Sequence, residues 1–197
     1  MKNKQILLLF ALLFITVKSF AFVLQYPHGS YGAVSFGRGY NHFSKNDFAA
    51  NLSGEDNSVW AGRVALGFNI DRYFAIETGY QLFQQRKFNN LNHGGNGTVN
   101  QYAIDIQTVL KWPLFKGINL FAKIGPAYVD TKQTADPGAG ISRHIKTWRP
   151  RYALGIAINF PNFTGVSLTA AYSRIVKNSD KHLPNADLYA LGLMFHF

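Results

Sequence analysis

The chain has 197 residues, no cysteine, and 20 lysine and arginine residues against 10 aspartate and glutamate residues, which gives a formal net charge of +10. This length is typical of one domain. The absence of cysteine excludes disulfide bonds, so the stability of the fold must rest on its secondary structure and packing. Aromatic residues make up 15% of the chain.

The N-terminus has the pattern of a secretory signal peptide. Lys2 and Lys4 precede an apolar run from Ile6 to Val17, and Ser19-Phe20-Ala21 offers small residues at alternate positions. The run is shorter than the roughly 20 apolar residues of a transmembrane helix, although a buried N-terminal helix is an alternative. We expect a signal peptide at 1–21, removed after export across the inner membrane. Nucleic acid is therefore not an expected partner.

Residues 22–197 would then form the mature domain. Removing Lys2, Lys4 and Lys18 leaves 17 basic and 10 acidic residues, so its formal charge is +7 (17 minus 10). Nothing after Leu24 resembles a membrane-spanning helix. If the mature chain lies in a membrane, it must therefore cross it as a closed barrel whose backbone groups are all paired between strands.

Alternating apolar and small or polar residues predict eight β-strands. In the last of them Tyr189, Leu191 and Leu193 form one face, while Ala190 and Gly192 form the other. The same alternation, punctuated by turn residues, recurs along the chain. The predicted strands are 30–41, 58–70, 73–84, 99–112, 118–130, 147–160, 164–176 and 187–197.

The lengths of the connections alternate as well. The links at Asp71-Arg72, Pro113 to Gly117 and Pro161 to Phe163 are short, whereas those near 42–57, 85–98, 131–146 and 177–186 are long. Outer-membrane barrels have short periplasmic turns and longer extracellular loops. The sequence therefore predicts an all-β fold, an eight-stranded antiparallel up-and-down transmembrane β-barrel. A soluble β-sandwich, the alternative, explains neither this alternation nor the aromatic pattern.

Tyrosine or tryptophan occurs on the lipid-facing parity near the outer end of every predicted strand. Amphipathic rings favour the headgroup level of a membrane. The predicted outer aromatic girdle comprises Tyr40, Trp60, Tyr80, Tyr102, Tyr128, Trp148, Tyr172 and Tyr189. The predicted periplasmic belt comprises Phe68, Phe74, Trp112, Phe160, Phe195 and Phe197.

The signal peptide, the eight alternating strands, strand endings such as Gly79-Tyr80 and the aromatic C-terminus resemble the OmpA/OmpX-like family of small outer-membrane β-barrels. The resemblance implies a monomeric, non-enzymatic protein in the outer membrane of a Gram-negative bacterium. It also implies that the assembly machinery of that membrane recognises Phe195 and Phe197. No peptidoglycan-binding domain follows Phe197, so cell-wall tethering is not expected.

Five charged residues have inward parity near the middle of consecutive strands: Arg63, Glu77, Asp105, Lys123 and Arg151. Buried charges are strongly unfavourable unless they are paired. We therefore predict an interior salt-bridge network, with Asp105 and Lys123 nearly opposite each other across the Pro113 to Gly117 turn. A network able to exchange partners in a narrow conduit is the alternative.

Basic residues are concentrated near the outer strand ends and in the long loops. Guanidinium and ammonium groups pair strongly with phosphate, so these residues are candidate contacts for lipopolysaccharide. A solvated charged rim without a particular partner is the alternative. The candidates are Arg143, Lys146, Arg149, Lys177 and Lys181.

The leading functional hypothesis is a non-enzymatic surface protein that contributes to membrane integrity. Its long loops, chiefly 42–57 and 131–146, would contact a host surface ligand in adhesion or immune recognition. The alternative is a narrow channel or a carrier for small molecules, because Pro126 removes a ladder hydrogen bond in the fifth strand. Both hypotheses fit the predicted barrel.

A lipid A-modifying enzyme is a third hypothesis. His42-Phe43-Ser44, followed by Glu55 and Asp56, offers a nucleophile, a base and a carboxylate. No cofactor or metal is expected, since a metal site would need histidines from four different loops to converge. Those histidines are His42, His93, His144 and His182.

Overall fold

A computed structural model describes residues 29–41, 58–88, 97–115, 117–135, 137, 142–160, 165–177 and 183–197. The expected signal peptide lies outside these residues. These residues form eight strands: β1 (Ser30–Asn41), β2 (Ser58–Asn69), β3 (Phe74–Phe88), β4 (Gly97–Phe115), β5 (Ile118–Ala135), β6 (Arg143–Asn159), β7 (Val166–Ile175) and β8 (Ala186–His196). Within the described residues no helix has the length and apolarity to cross a membrane.

The strands form one closed barrel in chain order, each antiparallel to its neighbours. The last strand closes on the first, with partners running from Tyr31↔His196 to Asn41↔Ala186. The predicted fold class is therefore confirmed. Closure pairs the edges that an open sheet would leave exposed, and this allows the barrel to lie in hydrocarbon.

The two faces of the wall differ as the alternation predicts. Outward side chains such as Phe36 and Leu191 are 58% and 64% exposed, whereas the inward Ala61 and Ala103 are 1% and 0% exposed. Apolar side chains exposed over the whole circumference would be unfavourable in water. They are favourable in lipid, which is the environment this surface requires.

Turn chemistry closes the short connections at one end of the barrel. Between β2 and β3, the Asp71 carboxylate accepts hydrogen bonds from the backbone N–H groups of Tyr73 and Phe74, at 2.6 and 2.7 Å. Gly117, before β5, and Gly165, before β7, have φ angles of 86° and 88°. Side chains rarely adopt this conformation, so glycine is the favoured residue at both turns.

Strands β5 and β6 extend beyond their predicted ends. The predicted loop 131–146 contains paired strand up to Gln133↔Arg143. From Tyr128 to Gln133 the strand continues for about 17 Å along its own direction, at about 3.3 Å per residue. Alternation did not reveal this extension because the strands have no lipid to face there.

Inside the barrel, side chains pack in three layers. The outer layer is apolar and includes Phe83, Ala127, Val129, Ile175 and Leu188. The inner layer, towards the short turns, includes Tyr31, Ala75, Val109, Phe121 and Met194. The buried charges lie between these two layers, on neighbouring positions of the same strands.

Candidate functional site

The middle layer of the barrel brings all five predicted interior charges together. Arg63 lies 2.8 Å from Glu77 and 2.7 Å from Asp105, so it bridges β3 and β4 from β2. Lys123 pairs with Glu77 at 2.8 Å, and Arg151 pairs with Asp105 at 2.6 Å. All five side chains are less than a tenth exposed. Each carboxylate thus pairs with two cations, and these ion pairs are buried.

The partners of Lys123 and Asp105 differ from the prediction, which paired these two residues with each other. The β4–β5 register sets Asp105 against Ala127 and Lys123 against Val109. The prediction assumed a turn from Pro113 to Gly117, but β4 continues to Phe115 and β5 starts at Ile118. In the observed register Lys123 lies opposite Val109, four residues along β4 from Asp105, and it meets Glu77 instead.

Three neutral residues complete the network. The Tyr31 hydroxyl donates to Glu77 Oε2 at 2.8 Å. Arg63 donates to Gln107 Oε1 at 3.4 Å, and Arg151 donates to Ser173 Oγ at 3.1 Å. Tyr31 was absent from the predicted interior, although its odd position in β1 has inward parity and could have indicated it.

A glycine makes room for the central guanidinium. A Cβ added at Gly79 would overlap Arg63, with its Nε 2.8 Å away. Gly79 pairs with Ala65 of β2, so both of these inward residues beside the guanidinium are small. Because Gly79 has no side chain, this inward position leaves room for the large guanidinium of Arg63.

Ring contacts link the members of the outer aromatic girdle across strands. Tyr128 packs on Trp148 with ring centroids 5.4 Å apart. Tyr189 contacts both Tyr172 and Tyr40, at 4.9 and 5.9 Å, and Tyr80 contacts Tyr102 at 5.9 Å. Trp60 stacks on Phe36, and the Arg38 guanidinium lies 4.3 Å from the Trp60 ring. These contacts join neighbouring strands near their outer ends.

Two girdle tyrosines donate hydrogen bonds to carboxylates just above them. Tyr102 donates to Asp130 at 2.9 Å, and His144 lies 2.9 Å from the same carboxylate. Burial raises the pKa of Asp130, but the hydrogen bonds with Tyr102 and His144 outweigh that effect and hold the pKa below its usual value. Likewise, Tyr172 donates to Asp187 at 3.1 Å.

Arg149 is buried inside the barrel and is not an external contact, contrary to the prediction for lipopolysaccharide. Its side chain is 2% exposed, and it donates to the carbonyl oxygens of Val176, at 2.7 Å, and Pro184. The neighbouring Pro150 accepts from the Val176 N–H but cannot donate in return. The Arg149 side chain therefore satisfies the carbonyl that Pro150 leaves open, and the prediction failed because it ignored the inward parity of position 149.

The other candidate lipopolysaccharide contacts occupy different environments. Lys146 is exposed at the outer rim and lies 3.6 Å from Asp130. Lys177 is exposed, and Arg143 is half-buried on the inward parity of β6. Lys181 lies outside the described residues.

The residues of the enzyme hypothesis, His42, Ser44, Glu55 and Asp56, also lie outside the described residues. So do two of the other loop histidines, His93 and His182. The described residues contain no histidine and carboxylate cluster fit for a metal ion.

A closed barrel with an apolar outer face between two aromatic belts defines a transmembrane β-barrel. The predicted periplasmic residues, Phe68, Phe74, Trp112, Phe160, Phe195 and Phe197, are all exposed. The chain belongs to the family described as the outer membrane protein beta-barrel domain, whose model matches residues 7–197. This membership confirms the resemblance to small outer-membrane barrels and indicates the Gram-negative outer membrane.

Known proteins resemble this chain in sequence or in fold. An uncharacterized protein of Coxiella burnetii is 25% identical over an alignment of 170 residues, and the match covers 69% of this chain and 67% of the relative. Ail of Yersinia pestis, crystallised with the heparin analogue sucrose octasulfate, has a TM-score of 0.55 and 14% identity over 86% of this chain and 99% of Ail. Neisserial surface protein A has a TM-score of 0.57 and 13% identity over 85% of this chain and 97% of its own. These structures share the fold.

Proposed function

We propose that this chain is a non-enzymatic surface barrel that stabilises the outer leaflet by binding lipopolysaccharide and presents its long connections for adhesion or immune contact. The observation that carries the proposal is the filled interior, in which two apolar layers enclose the buried ion pairs. Because the interior of the barrel is filled, we expect partners to bind at its outer surface. The function should therefore depend on the rim and the loops.

The projecting part of the β5–β6 hairpin carries basic side chains on its outward face. Lys132, His144 and Lys146 are all exposed and share the outward parity of their strands. Lys132 is the cross-strand partner of His144, and Lys146 is the partner of Asp130. They follow Tyr128 and Trp148 along the strands towards the outside, so an aromatic girdle at the headgroup level would place them beside the phosphates of outer-leaflet lipopolysaccharide. Ammonium groups at this height favour anionic headgroups.

Replacing Lys132 by glutamate should weaken lipopolysaccharide binding about tenfold, since each basic residue near an anionic surface contributes about 1 kcal/mol and the new carboxylate adds repulsion. Binding would be measured by titrating lipopolysaccharide onto the barrel in nanodiscs. Lys132 has no close carboxylate partner in the β4 or β5 ladder positions next to it, which are Asn100, Thr131 and Gln133. The fold should tolerate the change.

The matched control is Arg72→Glu, which makes the same charge change in an exposed turn at the opposite end of the barrel. The control should bind lipopolysaccharide as the unmodified protein does. Equal weakening by both variants would mean that only the net charge matters, and would refute a binding face on the β5–β6 hairpin. Loss of binding to dephosphorylated lipopolysaccharide in the unmodified protein would identify phosphate as the recognised group.

A specific observation favours one alternative, a small-molecule carrier or narrow channel. The pairing of β4 with β5 is interrupted between Asp105↔Ala127 and Thr108↔Ile124, where Pro126 lies. Proline has no N–H to donate, so the hydrogen bonding between the two strands is weaker there, and a weakened seam is where a barrel could open sideways. Against an axial pore stand the two apolar layers, so we expect planar bilayers containing the barrel to show no discrete conductance steps. Reproducible single-channel steps would favour the channel over the surface protein.

A further inference from the structure

The interior network carries one positive charge more than its carboxylates balance. Arg63, Lys123 and Arg151 contribute three positive charges, and Glu77 and Asp105 contribute two negative ones, a sum of +1 (3 minus 2). All five groups are buried among the described residues. An unbalanced charge in a poorly solvated interior is strongly unfavourable, so a compensating group is expected nearby.

A cavity of about 50 Å³ lies beside this network. Gln107, Lys123 and Arg151 line it from one side, and Ser35, Thr169 and Ser173 line it from the other. One water needs about 10–15 Å³ of such space, so the cavity has room for a small ion together with one or two waters. The polar part of its lining consists mainly of donors and hydroxyl groups.

Two donors on residues that line this cavity have no hydrogen-bond partner among the described residues. They are Arg151 Nε and Gln107 Nε2, and their side chains are 2% and 1% exposed. The other atoms of the same groups are engaged, because Arg151 Nη1 contacts Asp105 and Gln107 Oε1 accepts from Arg63. A buried donor without an acceptor is unfavourable, so we expect an acceptor for both N–H groups in the cavity.

We propose that the cavity binds one small monovalent anion of the chloride type. An anion supplies the missing negative charge and accepts from Arg151 Nε and Gln107 Nε2, whereas a water supplies an acceptor but leaves the network at +1. The Ser173 hydroxyl, which accepts from Arg151 Nη2 at 3.1 Å, keeps its own hydrogen available for the same ion. The anion is part of the folded barrel's core, independently of any role of the rim.

The first test compares urea unfolding of the micelle-bound barrel in potassium chloride and in potassium gluconate at equal ionic strength. Gluconate is far larger than chloride and does not fit the cavity. Above saturation, a tenfold rise in chloride should lower the unfolding equilibrium constant about tenfold, because one ion is released on unfolding. Gluconate should have no such effect. Equal behaviour in the two salts would overturn the proposal.

Lys123→Gln removes the excess positive charge and should abolish the chloride dependence. The matched control Lys177→Gln removes one positive charge from an exposed position and should keep it. A chloride dependence that survives in Lys123→Gln at full slope would refute the proposed charge balance.

A second measurement keeps the proposal testable if Lys123→Gln does not fold. The unmodified barrel, refolded in bromide and crystallised, should give an anomalous scattering peak within contact of Arg151 Nε and Gln107 Nε2. Density at that place without an anomalous signal would mean that water fills the cavity, and would overturn the assignment.

Discussion

Replacing Glu77 by glutamine is expected to lower the free energy of unfolding of the barrel by about 3–5 kcal/mol, as for other broken buried ion pairs. Glu77 is fully buried, and both of its oxygens lie 2.8 Å from Lys123 Nζ. Arg63 and Tyr31 donate to it as well. A neutral glutamine would leave two cations unbalanced and present its own N–H₂ group to surrounding donors.

The measurement is the urea midpoint of the refolded barrel, followed by tryptophan fluorescence and an unheated gel. Asp71→Asn is the matched control, since it also removes one negative charge, but from the turn between β2 and β3. Asp71 Oδ1 accepts both of the backbone hydrogen bonds there, and an asparagine oxygen can keep them. The control should therefore lose less than about 1 kcal/mol. If the Glu77 variant unfolded at the same midpoint as this control, the interior network would not contribute to stability.

Replacing Gly37 by alanine should impair closure of the barrel and lower its stability by about 3 kcal/mol, at the upper end of the range for overpacking. Gly37 pairs with Ala190 across the seam between β1 and β8. A Cβ at this position would lie 2.6 Å from the Cα of Ala190 and still closer to the Tyr189 carbonyl oxygen. Those are backbone atoms, so the two strands would have to separate.

Gly62→Ala is the control for this second prediction. Gly62 lies in β2, and the nearest atoms to an added Cβ are 3.8 Å away, an ordinary contact distance. Alanine should be neutral or slightly stabilising there because it reduces the entropy of the unfolded chain. The folded, faster-migrating band on an unheated gel should persist for Gly62→Ala and diminish for Gly37→Ala. Equal folding yields would show that the seam accommodates a methyl group.

The strand number and the direction of the side chains were accessible from the sequence because lipid acts on one face of every strand. An outward residue such as Leu191 must be apolar, and an inward one such as Ala103 must be small enough for a narrow interior. Where the lipid ends, this constraint ends too. The continuation of β5 beyond residue 130 and of β6 before residue 147 was therefore missed.

The partners inside the barrel were less accessible. Parity correctly directed Arg63, Glu77, Asp105, Lys123 and Arg151 inwards, because parity needs only the chain. Which of them meet depends on strand register, and register depends on turn geometry. Lys123 thus reaches Glu77 instead of Asp105, and Arg149 uses its inward position to bind the carbonyl of Val176.

By itself the sequence determined the class of fold, the two aromatic belts and the inward set of charges, since these follow from a period of two and from the partition of side chains between lipid and interior. Tertiary structure decided the ion-pair partners, the burial of Arg149 and the donor-lined cavity beside Arg151. Those features arise only when eight strands close with a particular register, which brings residues distant in sequence within hydrogen-bonding distance.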